Sequence, residues 1–288
     1  MDCETAPYTT VFLCTPLINS PAMAVCDETG DLGRRCRRLR FLELDPITNQ
    51  YISRHIQTEM ALIDGSVSAR PLMTPYCRIM IACLSLCPRL DRVLVLGNGG
   101  GALSSFISSA WPETQVVAVE RDTRIASLAR KFFKAGDFGV DVVIKDAIDY
   151  VVDADSGSFN VVIVDVNAES GAPIDAPAPA FLQETTLAQL SRILDDDGVV
   201  LIDVLLPEHT SLLDRGLLYK ETEDNIRMIF ASVHVCSWTP SENVIMCCSA
   251  NPLPSRDDFK TNFSNWLLKQ STDVQEELQN CKLDLEWR

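Results

Sequence analysis

The sequence predicts an α/β fold: a mostly parallel sheet, covered by helices on both faces and closed by an antiparallel hairpin. Three observations carry that prediction. Short, wholly apolar runs rich in Val and Ile alternate with helix-patterned segments from Asp91 onward. The first of these runs feeds straight into a turn made almost entirely of glycine, Gly97 to Gly101. The last two, Ser232 to Ser237 and Asn243 to Cys248, flank Trp238-Thr-Pro-Ser-Glu242 and read as a hairpin.

Residues 1 to 35 are mixed in composition, with several prolines and little period, and read as a loosely ordered lead-in. The basic run Arg34 to Arg40 leads into Phe41-Leu-Glu-Leu44 and has the pattern of a solvated strand face. Asp45-Pro-Ile-Thr-Asn49 supplies turn chemistry, and Tyr51 to Ile56 returns as a second strand, giving a small hairpin. Pro71 to Cys87 carries apolar residues at helical spacing and stops at Pro88.

The regular pattern begins with strand Arg92 to Leu96 and a helix through Ser109, then strand Gln115 to Val119 and helix Thr123 to Lys134. Strands Val140 to Ile144 and Asn160 to Val164 follow. A proline-rich loop, a helix from Ala180 to Leu194 and strand Gly198 to Ile202 come next. After Pro254 the chain turns polar and helical, with Phe259, Phe263, Trp266 and Leu267 on one side. Three parts result: an extension over 1–70, a main domain over 71–252 and a helical tail over 253–288.

Hydrophobic residues make up 47% of the 288, ample for a sheet buried on both sides. The longest apolar stretch, Ile79 to Cys87, is too short to span a bilayer. The opening residues lack the positive charge of a secretory signal, and no basic residue precedes Arg34, so a cytoplasmic protein without membrane contact is expected. Eleven cysteines form no C-x-x-C pair and are odd in number, which points to reduced, buried thiols and to no metal site. A net charge of −15 speaks against nucleic acid as partner and for a basic one.

The glycine turn is where chemistry enters. Glycine permits positive φ and lets a ligand approach the backbone closely. Gly97, Gly99 and Gly101, with Asn98 between them, can therefore hold a nucleotide-like ligand against the next helix. The following strand ends in Glu120, where a carboxylate can accept both ribose hydroxyls, with Arg121 beside it. After the third strand, Asp146 can take the adenine amino group while Ala147 leaves room for the ring; alone, Asp146 is equally a helix N-cap. Three such markers in order fit S-adenosylmethionine better than a nicotinamide dinucleotide, whose domain continues its parallel pattern to a sixth strand.

Val93 to Leu206 resembles the spermidine-synthase-like branch of class I methyltransferases. Within that branch it is similar to the methyltransferase-like domain that methylates the N-terminal amine of translation elongation factor 1-alpha. The shared stretches are Val93 to Leu103, Ala118 to Asp122, Asp146 to Tyr150, Phe159 to Asn167 and Ala176-Pro-Ala-Pro-Ala-Phe181. Upstream, Arg37 to Phe41 with Asn49-Gln50 is similar to the hairpin that precedes the fold in that group.

The resemblance implies a Rossmann-like sheet of seven strands with a small β-hairpin extension, S-adenosylmethionine as cofactor, and a basic protein as substrate. It implies that Asp165 and Asn167, at the end of the fourth strand, are catalytic. Asp165 also joins the cofactor site, and Gln50 approaches it. Two departures speak against aminopropyl transfer. Polyamine synthases carry an aspartate in the glycine turn, where this chain has Ala102-Leu103, and an Asp-Ser-Ser-Asp-like run in place of Asp165-Val-Asn-Ala-Glu169. A third departure touches methyl transfer: the group tends to carry Asp where this chain has Asn167. Polyamine or small-amine chemistry, and a silent binding subunit, therefore stand as alternatives, and the oligomeric state is open between monomer and homodimer.

Overall fold

The computed structural model describes residues 8–14, 22–30, 33–45, 47–169, 171–237, 241–279 and 286–287. The tip of the expected C-terminal hairpin, Trp238 to Pro240, lies outside them.

The chain opens with a five-stranded antiparallel sheet in sequence order: β1 (Tyr8–Cys14), β2 (Ala22–Thr29), β3 (Arg35–Leu44), β4 (Tyr51–Ile63) and β5 (Ser66–Leu72). The expected hairpin is β3 and β4, at the centre of this larger sheet. Within residues 1 to 35, expected to be a loose lead-in, Tyr8–Cys14 and Ala22–Thr29 are instead strands of this sheet. The first five residues of β2 are all buried, so it shows no polar alternation by which a strand is recognised. The basic run is solvated only at Arg34 and Arg35. Arg37 pairs with Asp27 at 2.6 Å, Arg38 with Glu59 at 2.7 Å, and Arg40 with Glu28 at 2.8 Å. These pairs lace β2, β3 and β4 together, with the three guanidinium side chains at most 17% exposed.

The second sheet follows α1 (Pro75–Cys83). Its parallel part comprises β6 (Arg92–Leu96), β7 (Gln115–Glu120), β8 (Asp141–Ile144), β9 (Phe159–Val164) and β10 (Leu194–Val204). The connecting helices are α2 (Ala102–Ala110), α3 (Thr123–Phe133), α4 (Ala147–Asp153) and α5 (Glu184–Ile193). Then come α6 (Leu212–Arg227), β11 (Ser232–Ser237), β12 (Val244–Ser249), α7 (Arg256–Leu267), α8 (Thr272–Gln279) and the two-residue β13 (Glu286–Trp287). The order across the sheet is β13-β11-β12-β10-β9-β6-β7-β8, the expected seven strands with β13 added at one edge. β12 runs antiparallel to β10 and pairs with β11 as the closing hairpin.

Two-residue alternation divides the core. Val93 and Val95 face a cluster shared with α1, α2, α7 and α8, whereas Leu94 and Leu96 face one shared with α5 and α6. A third cluster joins Ile125, Leu128 and Phe133 of α3 to Met23, Val25 and Leu39 of the first sheet. Truncating one such buried leucine to alanine costs about 2–5 kcal/mol, so each face is firmly specified. Helix α6 was not legible in the sequence because it lacks an apolar stripe; only Thr222 and Ile226 are buried. Among the described residues no helix is long and apolar enough to cross a membrane. All five parallel strands finish at one edge, with Leu96, Glu120, Ile144, Val164 and Val204 as their last residues.

Candidate functional site at the C-terminal edge of the sheet

The glycine turn is shaped by what presses on it. Gly97 has φ +86°, and a Cβ there would lie 2.1 Å from the Asp165 carbonyl oxygen. Only glycine allows β6 and β9 to end so close together, a join held by the Asp165 amide donating to the Leu96 carbonyl at 2.9 Å. On the other side a Cβ on Gly100 would lie 2.6 Å from the Thr58 methyl, and the Gly100 amide donates to Thr58 Oγ1 at 2.6 Å. Strand β4 of the first sheet thus seats directly on the turn. Gly101 caps α2 in the left-handed conformation.

Glu120 is turned into this region and is only 7% exposed. Its Oε2 accepts the Gly99 amide and its Oε1 the Asp122 amide, each at 2.9 Å. Burial raises its pKa, and the two amides oppose the shift. Each oxygen keeps a lone pair, so the carboxylate can still accept a pair of vicinal hydroxyls. Asp146 is exposed at the end of β8 and caps α4, accepting the Ile148 amide at 2.8 Å. Ala147 opens that helix.

Asn98 points inward. It is 8% exposed, its Oδ1 accepts from Ser104 at 2.7 Å, and its Nδ2 is buried without a hydrogen-bond partner. Arg121 is exposed and reaches to within 4.0 Å of Glu169 on the loop after β9.

Gln50 needs correction. It lies exposed beside the turn between β3 and β4, its carbonyl accepting from Asp45. Eight residues separate it from Thr58, which seats on the glycine turn, or about 26 Å along the strand at ~3.3 Å per residue. The residue that reaches the site is Gln57. Leu39 pairs with Thr58 and Arg40 with Ile56, so Gln57 is the extra residue of a β-bulge. Bulges re-aim side chains, and here Gln57 Oε1 accepts from Asn167 Nδ2 at 3.0 Å.

Asp165 belongs to a group of four residues, three of which the sequence did not single out. Tyr76, at the start of α1, donates its hydroxyl to Asp165 Oδ2 at 3.2 Å. Asp203, at the end of β10, is 2% exposed, and Asn243 Nδ2 donates to both of its oxygens at 3.0 and 2.9 Å. Burial pushes Asp165 up to about 6 against the pull of the Tyr76 hydroxyl. It also pushes Asp203 well up from the usual carboxylate range, and the neighbouring Asp165 adds to the rise. An acid inside the apolar run Val199 to Leu206 was the available signal for Asp203; Gln57 carried none.

The loop beyond Asp165 forms a lip. The Ala178 amide donates to Val166, and those of Asp175 and Ala176 to Leu205, at 2.8 to 3.1 Å. Pro173, Pro177 and Pro179 stiffen this loop. The acids at successive strand ends, the unpartnered Asn98 amide and the bare turn fit a nucleoside that carries vicinal hydroxyls and a cationic group.

One group of three possible metal ligands occurs among the described residues: Cys83, Cys236 and Cys247, whose sulfurs lie within 4.8 Å of one another. All three are at most 1% exposed, between α1 and the β11–β12 hairpin, and the Cys236 and Cys247 sulfurs are in hydrogen-bond contact at 3.7 Å.

A family model described as the spermine/spermidine synthase domain matches residues 77–241. The eEF1A lysine and N-terminal methyltransferase homolog of Drosophila melanogaster is 27% identical over 260 residues, covering 82% of this chain and 36% of that protein. The chain spans about a third of the length of the first curated relatives it matches. Human methyltransferase-like protein 13, solved in complex with SAH, superposes with a TM-score of 0.60 at 20% identity, over 72% of this chain and 93% of that one. A probable spermidine synthase from Corynebacterium glutamicum gives 0.61 at 18% identity, over 91% and 89%. At these identities the superpositions establish the fold.

Proposed function

The chain belongs to the spermine/spermidine synthase domain family, and from that premise we propose that it is an S-adenosylmethionine-dependent methyltransferase acting on a protein amine. One observation carries the choice of methyl over aminopropyl transfer. Where polyamine synthases hold an aspartate in the glycine turn, Ala102 packs against the cluster under the first sheet and Leu103 is 5% exposed in the main core. The turn itself carries no carboxylate to grip an aminopropyl ammonium. The Drosophila relative, whose name specifies lysine and N-terminal methylation of eEF1A, supports a protein as acceptor.

In this reading Glu120 holds the ribose hydroxyls, and Asp146 with Ala147 receives the base. Gly97, Gly99 and Gly101 leave the backbone bare beside the methionine end, with Asn98 bracing the turn from within and Arg121 at its rim. S-adenosylmethionine supplies an electrophilic methyl group when bound. The protein's task is to bring a neutral amine into line with it.

Asp165, with its carboxyl near 6, is mainly ionised at neutral pH, and Tyr76 fixes its orientation. An α-ammonium titrates near ~8, so passing its proton to Asp165 is uphill by about 3 kcal/mol; a lysine, near ~10.4, needs about 3 kcal/mol more. That difference favours an N-terminal α-amine over a lysine. Asn167, held by Gln57, accepts a hydrogen bond from the amine through its free Oδ1. A basic translation factor suits a chain with a net charge of −15, and it places the reaction in the cytoplasm.

The test is transfer of labelled methyl from S-adenosylmethionine to recombinant elongation factor 1-alpha, comparing wild type with Asp165→Ala. Label on the factor that falls at least 100-fold in the variant supports the reading. Label confined to small molecules, or transfer indifferent to Asp165, overturns it. The family match itself favours aminopropyl transfer as second reading, which requires product from decarboxylated cofactor and a diamine.

A further inference from the structure

Helix α6 begins at the same sheet edge as the site and leaves its first turns uncovered. Leu212 is 90% exposed, Leu213 75% and Leu217 59%. Their position is fixed by two connections. The β10 chain continues into Leu205, which is bonded to the lip at Asp175 and Ala176. Arg215 then ties the loop down, donating to the carbonyls of Pro207 and Thr210 at 3.3 and 3.2 Å.

The helix does not lack a packed side: Thr222 and Ile226 are buried and Tyr219 packs on the core. Leu213 and Leu217, an i,i+4 pair, lie outside that side, and Leu212, in line with Tyr219 and Ile226, stands uncovered at the first residue of the helix. The three leucines of this first stretch together expose apolar area on the order of a few hundred Å², comparable to the largest apolar patches of monomeric proteins, which are often functional.

We infer that Leu212, Leu213 and Leu217 form a docking knob for the folded body of a basic protein substrate, beside the cleft that takes its amine. This inference rests on the protein-methyltransferase reading above. Charge selects the occupant. Glu169, Glu208, Asp214 and Glu242 are all exposed on the loops and first turn around the cleft, and the chain as a whole carries −15. An apolar knob with Asp214 between its leucines and Glu208 on the adjoining loop complements a surface that presents an apolar socket among lysines and arginines. It complements a second copy of this acidic chain poorly. A free polyamine needs no knob, since it has no apolar body to seat.

The experiment compares wild type with the Leu212→Ser, Leu213→Ser, Leu217→Ser triple variant. None of these side chains is buried, so the melting temperature should hold. With intact elongation factor 1-alpha as substrate, KM should rise tenfold or more while kcat stays within twofold. With a ten-residue peptide bearing the same N-terminus, neither constant should move. Equal loss on both substrates, or none on either, overturns the inference. So does a wild-type dimer that the substitutions convert to monomer, because the knob then seats another copy. If wild type transfers no methyl to either probe, the function reading fails separately. Fluorescence anisotropy with labelled factor then decides: tenfold weaker binding by the variant sustains the knob, and equal or absent binding removes it.

Discussion

Gln57 and Asn167 join the two sheets across the site, Asn167 Nδ2 donating to Gln57 Oε1 at 3.0 Å. The pair exists because the bulge in β4 turns Gln57 out of register. Gln57→Ala should lower kcat roughly five- to tenfold, as the loss of one positioning hydrogen bond of ~1 kcal/mol implies. The dissociation constant for S-adenosylhomocysteine, measured calorimetrically, should change less than twofold. Asn167→Asp should fold normally, since the Gln57 amide can rotate to donate instead.

Gly97→Ala tests the turn. Its added methyl meets the Asp165 carbonyl at 2.1 Å, and φ is +86°. Overpacking and a left-handed alanine together should cost about 2–4 kcal/mol, read as a lower urea midpoint. Gly136→Ala, with φ +100° and nothing within 4 Å of its Cβ, is the control for conformation alone.

Glu120→Ala removes the acceptor for the amides of Gly99 and Asp122 as well as the group assigned to the ribose. S-adenosylhomocysteine should bind at least tenfold more weakly, matching the ~1.5–3 kcal/mol of hydrogen bonds to a charged acceptor. Glu120→Gln should recover part of this, because its carbonyl oxygen still accepts one amide.

Asp165 sets a pH dependence. Its pKa rises from 3.8 to about 6 on folding, so between those values the folded chain holds a proton that the unfolded chain has lost. Stability from this group is therefore complete below about 3.8 and falls as pH rises through about 6. Asp165→Asn should be about 1–3 kcal/mol more stable than wild type at pH 7 and equal to it near pH 3.5, by urea unfolding at both pH values. Methyl transfer runs the other way: kcat/KM of the wild type should rise through pH 6, and the variant should lack that limb.

The parallel sheet was legible because buried strands write themselves as unbroken Val and Ile runs: Val93 to Leu96, Val116 to Val119 and Val161 to Val164 are all at most 6% exposed. The glycine turn and Glu120 were legible for a related reason, since backbone shape and strand ends are local. What escaped depended on distant partners. Asp203 acquires meaning only beside Asp165 and Asn243, and Gln57 only through a bulge defined by β3. The similarity of the hairpin points to Gln50, but strand length carries that turn away from the cleft. Ala22 to Thr29 hid as a strand because burial of both its faces erased the alternation.

The seat of Thr58 on Gly100 bears on how such proteins can be re-engineered. The seam between the first sheet and the second runs along the glycine turn of the proposed cofactor site, so neither half is a transplantable cartridge. A chimera that borrows the first 72 residues from a polyamine synthase would need a small β-branched hydroxyl at position 58 to engage the glycine amide. A bulkier side chain there would pry the turn from its strand and leave a well-folded hybrid unable to retain its cofactor.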